Sequence, residues 1–297
     1  MGEPASPTLG AICALGSALT WTLIGLTVRA LAPYFSSVSV NVIRSALGGL
    51  LTAVLVLAWS GPGAVATLRP RVLAYLVTSC LIAFGLGDSL FFESTRTIGL
   101  ARALTISMIY PLFAAALALM LLGEPLTLRF VAGSVVTLAG LTIIVSEHVP
   151  GDEGAHRHRS RGIGLALLAA LAWAVGALLV KPALRDIDPL TAQAVRLPIA
   201  AAILWLTPWA RGTTRSLRTH ARTAGLLIGA LGALTAASSA MFVAGIKYAG
   251  VGIATVLSST APLFALPIGL VALGEPLTWR AVTGAALALA GISLLTL

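Results

Sequence analysis

The sequence predicts an all-α membrane protein with ten transmembrane helices, arranged as two inverted five-helix repeats. Three observations support this prediction: a strongly apolar composition, apolar runs long enough to cross a bilayer, and a motif that occurs twice in the same flanking context. Of the 297 residues, 58% are hydrophobic and 10% are charged, and the mean hydropathy is +0.99. Soluble domains carry roughly 25% charged residues, so this composition excludes a soluble protein.

The repeated motif is Leu-Gly-Glu-Pro-Leu-Thr, which begins at Leu122 and again at Leu273, 151 positions later. Each copy is followed by an arginine and then by two glycines seven residues apart. An identity that keeps its flanks in register predicts an internal duplication. The glycine pairs, and Gly225 with Gly229, predict close helix contacts, because small residues let helices approach within a membrane.

Ten apolar runs of about 20 residues, the length that a helix needs to span a bilayer, follow one another along the chain. In the first half they lie at about 9–28, 40–59, 72–92, 99–122 and 126–146. In the second half they lie at about 162–180, 190–209, 223–245, 251–273 and 277–297. Polar breaks at 61–71 and 211–222 occupy corresponding places. We therefore predict repeats at 9–146 and 162–297, joined by a polar linker at 147–161.

Five spans per repeat is an odd number, so the second repeat must enter the membrane from the opposite side to the first. Inverted repeats of this kind are a transporter plan in which the substrate site lies near the midplane, between the halves. Further matched positions support the alignment of the halves, with an offset of 152: Trp21 and Trp173, Arg29 and Lys181, Arg44 and Arg196.

With these features, the sequence resembles the EamA-type ten-helix permeases of the drug/metabolite transporter superfamily. The resemblance covers nearly the whole chain and rests on the two Gly-Glu-Pro-Leu-Thr turns, the glycine pairs after them, the early tryptophans and the matched arginines. It implies secondary transport of small metabolites, often export, by alternating access. It also implies a multi-pass protein of a bacterial-type cytoplasmic membrane. The first span contains no acid, so the coupling glutamate of the small multidrug-resistance branch has no counterpart here.

The strongest candidate for a functional residue is Asp88, which lies inside the third predicted span. An ionisable group at that depth costs several kcal/mol unless it is paired or hydrated, and it is a functional hypothesis by default. The corresponding residue is Ser239, so the acid is not part of the duplicated scaffold. We expect either proton coupling or binding of a substrate cation; a structural hydrogen bond to a neighbouring helix is the alternative.

Other residues are candidates for the cavity or for the scaffold. Trp21 and Trp173 lie mid-span, where they suit cavity walls or helix packing equally, and Tyr110 is a further cavity candidate. Arg44 and Arg196 lie about one turn inside their spans. Their symmetry favours a scaffold role, either snorkelling to headgroups or bracing a helix end, over anion binding in the cavity.

The prolines and glutamates of the two halves predict hinges and helix caps. Pro111 and Pro262 lie inside apolar runs, where proline frees a carbonyl and kinks a helix. In the motif, Glu124 and Glu275 each begin a helix, where a carboxylate can cap free N–H groups. The proline after each glutamate fits the first helical position.

Small-molecule substrates, membrane lipids and protons are the predicted partners, and the predicted state is a monomer or homodimer. The net charge of +9 comes from basic residues at span ends and in loops, which is typical of topology signals and not of nucleic-acid binding. Without a P-loop or an ordered set of metal ligands, we predict no cofactor, no metal and no enzymatic activity. The alternatives are a multidrug or organic-cation exporter and an intramembrane lipid-handling protein.

The orientation is open at this stage. With the termini inside, as the resemblance implies, six basic residues fall on the cytoplasmic side and eleven outside. The positive-inside rule favours the reverse arrangement. We keep the termini inside as the expectation.

Overall fold

The computed structural model describes residues 6–98, 103, 106–147, 159–273 and 278–296, and these residues form a bundle of α-helices. Within that part of the chain no β-strand occurs. The helices of the first half are α1 (Pro7–Leu31), α2 (Ser37–Ser60), α3 (Gly63–Ala66), α4 (Pro70–Cys80), α5 (Asp88–Ile98), α6 (Tyr110–Leu122) and α7 (Leu128–Glu147). Those of the second half are α8 (Arg159–Ala183), α9 (Pro189–Trp205), α10 (Thr213–Ala249), α11 (Val251–Ser258), α12 (Ala261–Leu273) and α13 (Trp279–Thr296).

Side-chain caps and glycines fix several helix ends. Ser36 and Asp188 accept hydrogen bonds from the backbone N–H groups of Ser39 and Thr191, at 3.2 and 2.9 Å, and so begin α2 and α9. At the other end of α2, within the predicted polar break at 61–71, Gly61 takes a φ of +75°, which glycine adopts without strain. The predicted polar break at 211–222 is helical from Thr213 onward, where α10 begins, and the apolar part of that 37-residue helix begins at Arg222.

Six stretches of helix among the described residues are long and apolar enough to cross a membrane. They are Pro7–Leu31, Val38–Ser60, Pro70–Thr95, Ser160–Ala183, Arg222–Ala249 and Val251–Val271. A seventh arises if Pro189–Trp205 and Pro208–His220, which meet at 85°, count as one span. The shorter apolar helices are Tyr110–Leu122, Leu128–Ile144 and Trp279–Leu294.

The two sequence halves interleave in space. From the first half, α1 packs along α10, and α2 packs along α9 and α10. From the second half, α8 packs against α4, α5 and α6. The largest apolar cluster accordingly draws buried side chains from α4, α6, α8, α9, α10 and α11. Neither half buries its apolar faces by itself.

The glycine pairs after the repeated motif bring α7 and α13 into close contact, as predicted. A Cβ atom on Gly140 would collide with the carbonyl oxygen of Gly284, and one on Gly291 would collide with Thr137. For Gly225 and Gly229 the predicted close contact is wrong, because a Cβ there would meet no atom within 4 Å.

Candidate functional site

Asp88 stands at the end of an irregular helical segment. Between α4 and α5 the chain forms a seven-residue π-helix, Leu81–Gly87, and the backbone N–H of Asp88 bonds to the carbonyl of Ala83, five residues back. A π-helical turn is wider than an α-helical one, occurs mostly in short pieces and is frequent at functional sites. It shifts the register of the third span just before the acid.

Three polar side chains from other helices surround the Asp88 carboxylate. The indole Nε1 of Trp173, on α8, donates to Oδ1 of Asp88 at 2.9 Å. The side chain of Asn41, on α2, interacts with the same carboxylate. In turn, Nε of Arg44 donates to Oδ1 of Asn41 at 2.5 Å. An acid within a membrane-spanning segment requires such partners, and here they come from both sequence halves.

Aromatic rings form the walls around this polar network. The guanidinium carbon of Arg44 lies 4.9 Å from the ring centroid of Trp21. The ring of Trp173 packs against that of Phe91, with 5.2 Å between the ring centroids. It also packs edge on against the ring of Tyr110, with 6.4 Å between the centroids. The Tyr110 hydroxyl donates to the carbonyl of Thr255 on α11 at 3.4 Å. A cation over an aromatic face is stabilised by about 0.5–2 kcal/mol, depending on desolvation.

We refer to these residues together as the Asp88 site: Trp21, Asn41, Arg44, Asp88, Phe91, Tyr110 and Trp173. Five of them are candidates from the sequence, and the structure brings all five together. Sequence reasoning missed Asn41 and Phe91. Asn41 carried a usable signal, since it is a polar residue three positions before Arg44 and matches Gln193 at the same offset of 152.

Arg196 and Ser239 belong to a second, buried network. Arg196 is 5% exposed; its Nε donates to Oγ of Ser79 at 3.1 Å and its Nη1 donates to Oε1 of Gln193 at 3.2 Å. Nε2 of Gln193 donates to the backbone carbonyl of Ser239 at 2.9 Å. The hydroxyl of Ser239 bonds locally, to the carbonyl of Ala236.

The two networks correspond position by position. In each, an amide accepts a hydrogen bond from an arginine three residues later: Asn41 from Arg44, and Gln193 from Arg196. Each amide also contacts the corresponding residue of the third span in its half, Asp88 or Ser239. Only the first copy contains an acid, and only its arginine is partly exposed.

Glu124 accepts backbone hydrogen bonds at a helix start, but not at the start of its own helix. Its carboxylate accepts from the N–H of Val251 at 2.9 and 3.1 Å and from that of Gly252 at 3.4 Å, at the beginning of α11. The helix after the motif begins at Leu128, so the expectation that Pro125 occupies the first helical position is wrong. Glu275 lies outside the described residues.

A cavity of about 290 Å³ lies beside Glu124, at the end of the bundle and apart from the Asp88 site. Lys181, Tyr248 and Gly250 also line it, and no member of the Asp88 site does. This cavity and the Asp88 site are therefore separate features, and the candidate functional site is the one at Asp88, whose polar groups converge inside the spans.

Pro111 and Pro262 each stand in the first turn of a helix, not inside one. A short turn precedes each helix, at Met108–Ile109 before α6 and at Ser259–Thr260 before α12. The predicted kinks are therefore breaks. Among the described residues, no group of three His, Cys, Asp or Glu side chains could hold a metal ion.

The fold and the site together define an integral, multi-pass helical membrane protein with a polar site between its helices. The chain belongs to the EamA-like transporter family, whose model matches residues 8–146 and again residues 160–297. It is therefore a membrane transporter and not an enzyme, as predicted, and it falls within the drug/metabolite transporter type.

Individual proteins are similar to it over different lengths. An uncharacterized transporter of Archaeoglobus fulgidus is 27% identical over 287 residues, which cover 96% of this chain and 97% of that protein. An uncharacterized protein of Pseudomonas aeruginosa is 28% identical over 145 residues, covering 49% of this chain and 48% of its own length. A crystal structure at 20% identity superposes with a TM-score of 0.77, covering 99% of this chain and 97% of that one, which shows a shared fold.

Proposed function

We propose that this transporter is a secondary active exporter of small polar metabolites such as amino acids, working by alternating access with Asp88 at its centre. The observation that carries the proposal is the group of polar side chains formed by Asp88, Trp173, Asn41 and Arg44. It places an anion and a cation near each other within the spanning region, between helices of both halves. A zwitterion presents the complementary pair of charges.

In this proposal Asp88 binds the ammonium group of the substrate, and Arg44 binds its carboxylate. Trp21 and Trp173 form the walls of the site, as the contacts of their rings with Arg44 and Phe91 support. The Asp88 carboxylate accepts a proton when the substrate leaves, so that substrate and proton alternate on one group. Exchange of this kind couples export to proton entry without ATP.

The proposed topology is ten spans in two inverted five-helix repeats, at 9–146 and 162–297. The double match of the family model and the corresponding arginine–amide networks both support it. Because α8 packs against α4–α6 and α1–α2 pack against α9–α10, the bodies that rock are bundles drawn from both halves. The turns before Pro111 and Pro262 serve as hinges.

The proposal also includes the cytoplasmic membrane, termini on the cytoplasmic side, and a monomer or homodimer. Fusions of alkaline phosphatase and of green fluorescent protein to position 297 test the orientation. Fluorescence without phosphatase activity is expected, and phosphatase activity would reverse the assignment.

The decisive experiment compares Asp88→Asn with Ser239→Ala, the change at the corresponding position. A screen for metabolites that accumulate outside an overexpressing strain first supplies the substrate, and purified protein in proteoliposomes then transports it. We expect Asp88→Asn to abolish pH-dependent transport and Ser239→Ala to retain it. Unchanged pH-dependent transport by a folded Asp88→Asn protein would refute the role of the acid.

Export of organic cations is the second candidate, and the aromatic rings around a single acid favour it. Arg44 separates the two candidates, since a cation without a carboxylate has no use for a guanidinium. Arg44→Met should abolish transport of an amino acid. If the protein exports cations instead, the same change leaves efflux of a lipophilic cation such as ethidium intact or increases it.

A further inference from the structure

Glu124 connects the two sequence halves at one end of the bundle. It follows α6 in the first half, yet both of its carboxylate oxygens accept from the N-terminus of α11 in the second half. Gly250, with a φ of +92°, makes this approach possible. A Cβ atom there would lie 2.9 Å from Oε2 of Glu124. Both this close contact and the positive φ exclude a larger residue at position 250.

Lys181 extends this connection to two further helices. Its Nζ lies 3.7 Å from Oε1 of Glu124, and it donates to the backbone carbonyls of Ile246 at 2.7 Å and Lys247 at 3.2 Å. Those carbonyls belong to the last turn of α10, where free acceptors attract a cation. One ammonium and one carboxylate thus join the ends of α6, α8 and α10 to the start of α11.

The same end of the bundle is sealed by apolar packing. Ala114, Ala118, Val180, Ile246 and Val251 come from four of these helix ends and are at most 1% exposed. Lys181 lies eight residues after Trp173 on α8, which is roughly 12 Å at 1.5 Å per residue. The closed end therefore stands about two turns from the indole that bonds to Asp88.

We propose that Glu124 and Lys181 form a latch that holds this end closed, and that the latch breaks when the site opens toward this face. The inference rests on the alternating-access function proposed above. Both side chains are partly buried and line the cavity of about 290 Å³. Water entering that space can solvate the separated charges, which lowers the cost of breaking the contact.

A thiol reporter tests the latch without a known substrate. Ala115, which is 3% exposed, lines the cavity and packs beside Gly252. In a Cys13→Ser, Cys80→Ser background, Ala115→Cys reports access through its rate of reaction with a charged maleimide. We expect Glu124→Ala and Lys181→Met each to raise that rate at least tenfold in the purified protein.

Glu93→Gln is the control, because Glu93 pairs with Arg161 at a similar distance, 3.8 Å, at the other end of the third span. It should leave the labelling rate unchanged. Lys181→Met keeps the Glu124 carboxylate on α11, so it remains informative if Glu124→Ala fails to fold. Equal labelling in the parent, Lys181→Met and any folded Glu124→Ala protein would overturn the latch.

The labelling result is separable from the test of transport. Asp88→Asn leaves all contacts of Glu124 in place, so it should label at the parent rate even though it does not transport. If Asp88→Asn transports normally while Lys181→Met labels rapidly, the latch stands and the role of Asp88 fails. If Lys181→Met labels slowly while Asp88→Asn loses transport, the role of Asp88 stands and the latch fails.

Discussion

The indole Nε1 of Trp173 donates a 2.9 Å hydrogen bond to Oδ1 of Asp88, across an interface between the two sequence halves. The donor lies on α8 and the acceptor begins α5, directly after the π-helical segment. A hydrogen bond to a charged group contributes about 1.5–3 kcal/mol, more than one between neutral groups. This contact therefore holds the acid in position as well as satisfying one of its oxygens.

Trp173→Phe removes the donor and keeps an aromatic ring in contact with Phe91. Because about 1.4 kcal/mol corresponds to a tenfold change, we expect a ten- to hundredfold fall in the transport rate. Trp21→Phe is the matched control, since the ring of Trp21 faces Arg44 and a phenyl ring keeps part of that interaction. Transport rates of the two variants are measured in proteoliposomes. Equal losses in Trp173→Phe and Trp21→Phe would contradict the role of the indole N–H of Trp173.

A substitution at Gly87 tests whether the position of the Trp173 indole matters, without removing any polar group. A Cβ atom there would lie 2.7 Å from Cδ1 of Trp173, so Gly87→Ala must displace the indole. We expect a loss of transport comparable to that of Trp173→Phe. Gly85→Ala, two residues earlier in the same π-helical segment, would meet its nearest atom at 3.6 Å and should retain transport. Full activity of Gly87→Ala would show that the indole position is unimportant.

Much of the site was predictable because charged and polar side chains are costly, and therefore rare, inside a membrane span. Asp88 is conspicuous in an apolar span, and symmetry points to Trp21, Trp173 and Arg44. That these side chains meet is a property of the interleaved packing, which the order of spans does not reveal. Phe91 carries no signal, since an apolar aromatic residue is ordinary in such a span.

The Leu-Gly-Glu-Pro-Leu-Thr motif was harder to interpret. Its sequence predicts a helix start, and a carboxylate does accept N–H groups at a helix start. That helix lies 127 residues further along the chain, at Val251. Local sequence patterns specify that a cap is possible, whereas tertiary contact decides which helix receives it.

The two corresponding arginines should differ in what they contribute. Arg196 is 5% exposed, and removing its guanidinium leaves the Gln193 amide oxygen without that donor and removes one of the hydrogen bonds of the Ser79 hydroxyl. Each buried group left unpaired costs about 1–3 kcal/mol, so Arg196→Met should markedly lower the stability of the protein in detergent. Arg44→Met should retain stability and lose transport. The stability of each variant is measured by heating samples and monitoring the remaining folded protein by size-exclusion chromatography. Equal losses of stability in Arg196→Met and Arg44→Met would contradict a structural role for Arg196 and a transport role for Arg44.

Alanine substitution should have opposite effects on stability at Gly140, in the close contact between α7 and α13, and at Gly225, on α10. A Cβ on Gly140 would collide with the Gly284 carbonyl, and overpacking of this kind costs about 1–3 kcal/mol. Gly225 has open space around it in the middle of α10, where alanine is favoured over glycine by about 0.5–1 kcal/mol. Gly140→Ala should therefore lower the unfolding temperature in detergent, and Gly225→Ala should keep or raise it. Because association of membrane helices depends on such contacts, an unchanged unfolding temperature for Gly140→Ala would mean that α7 and α13 can separate at little cost.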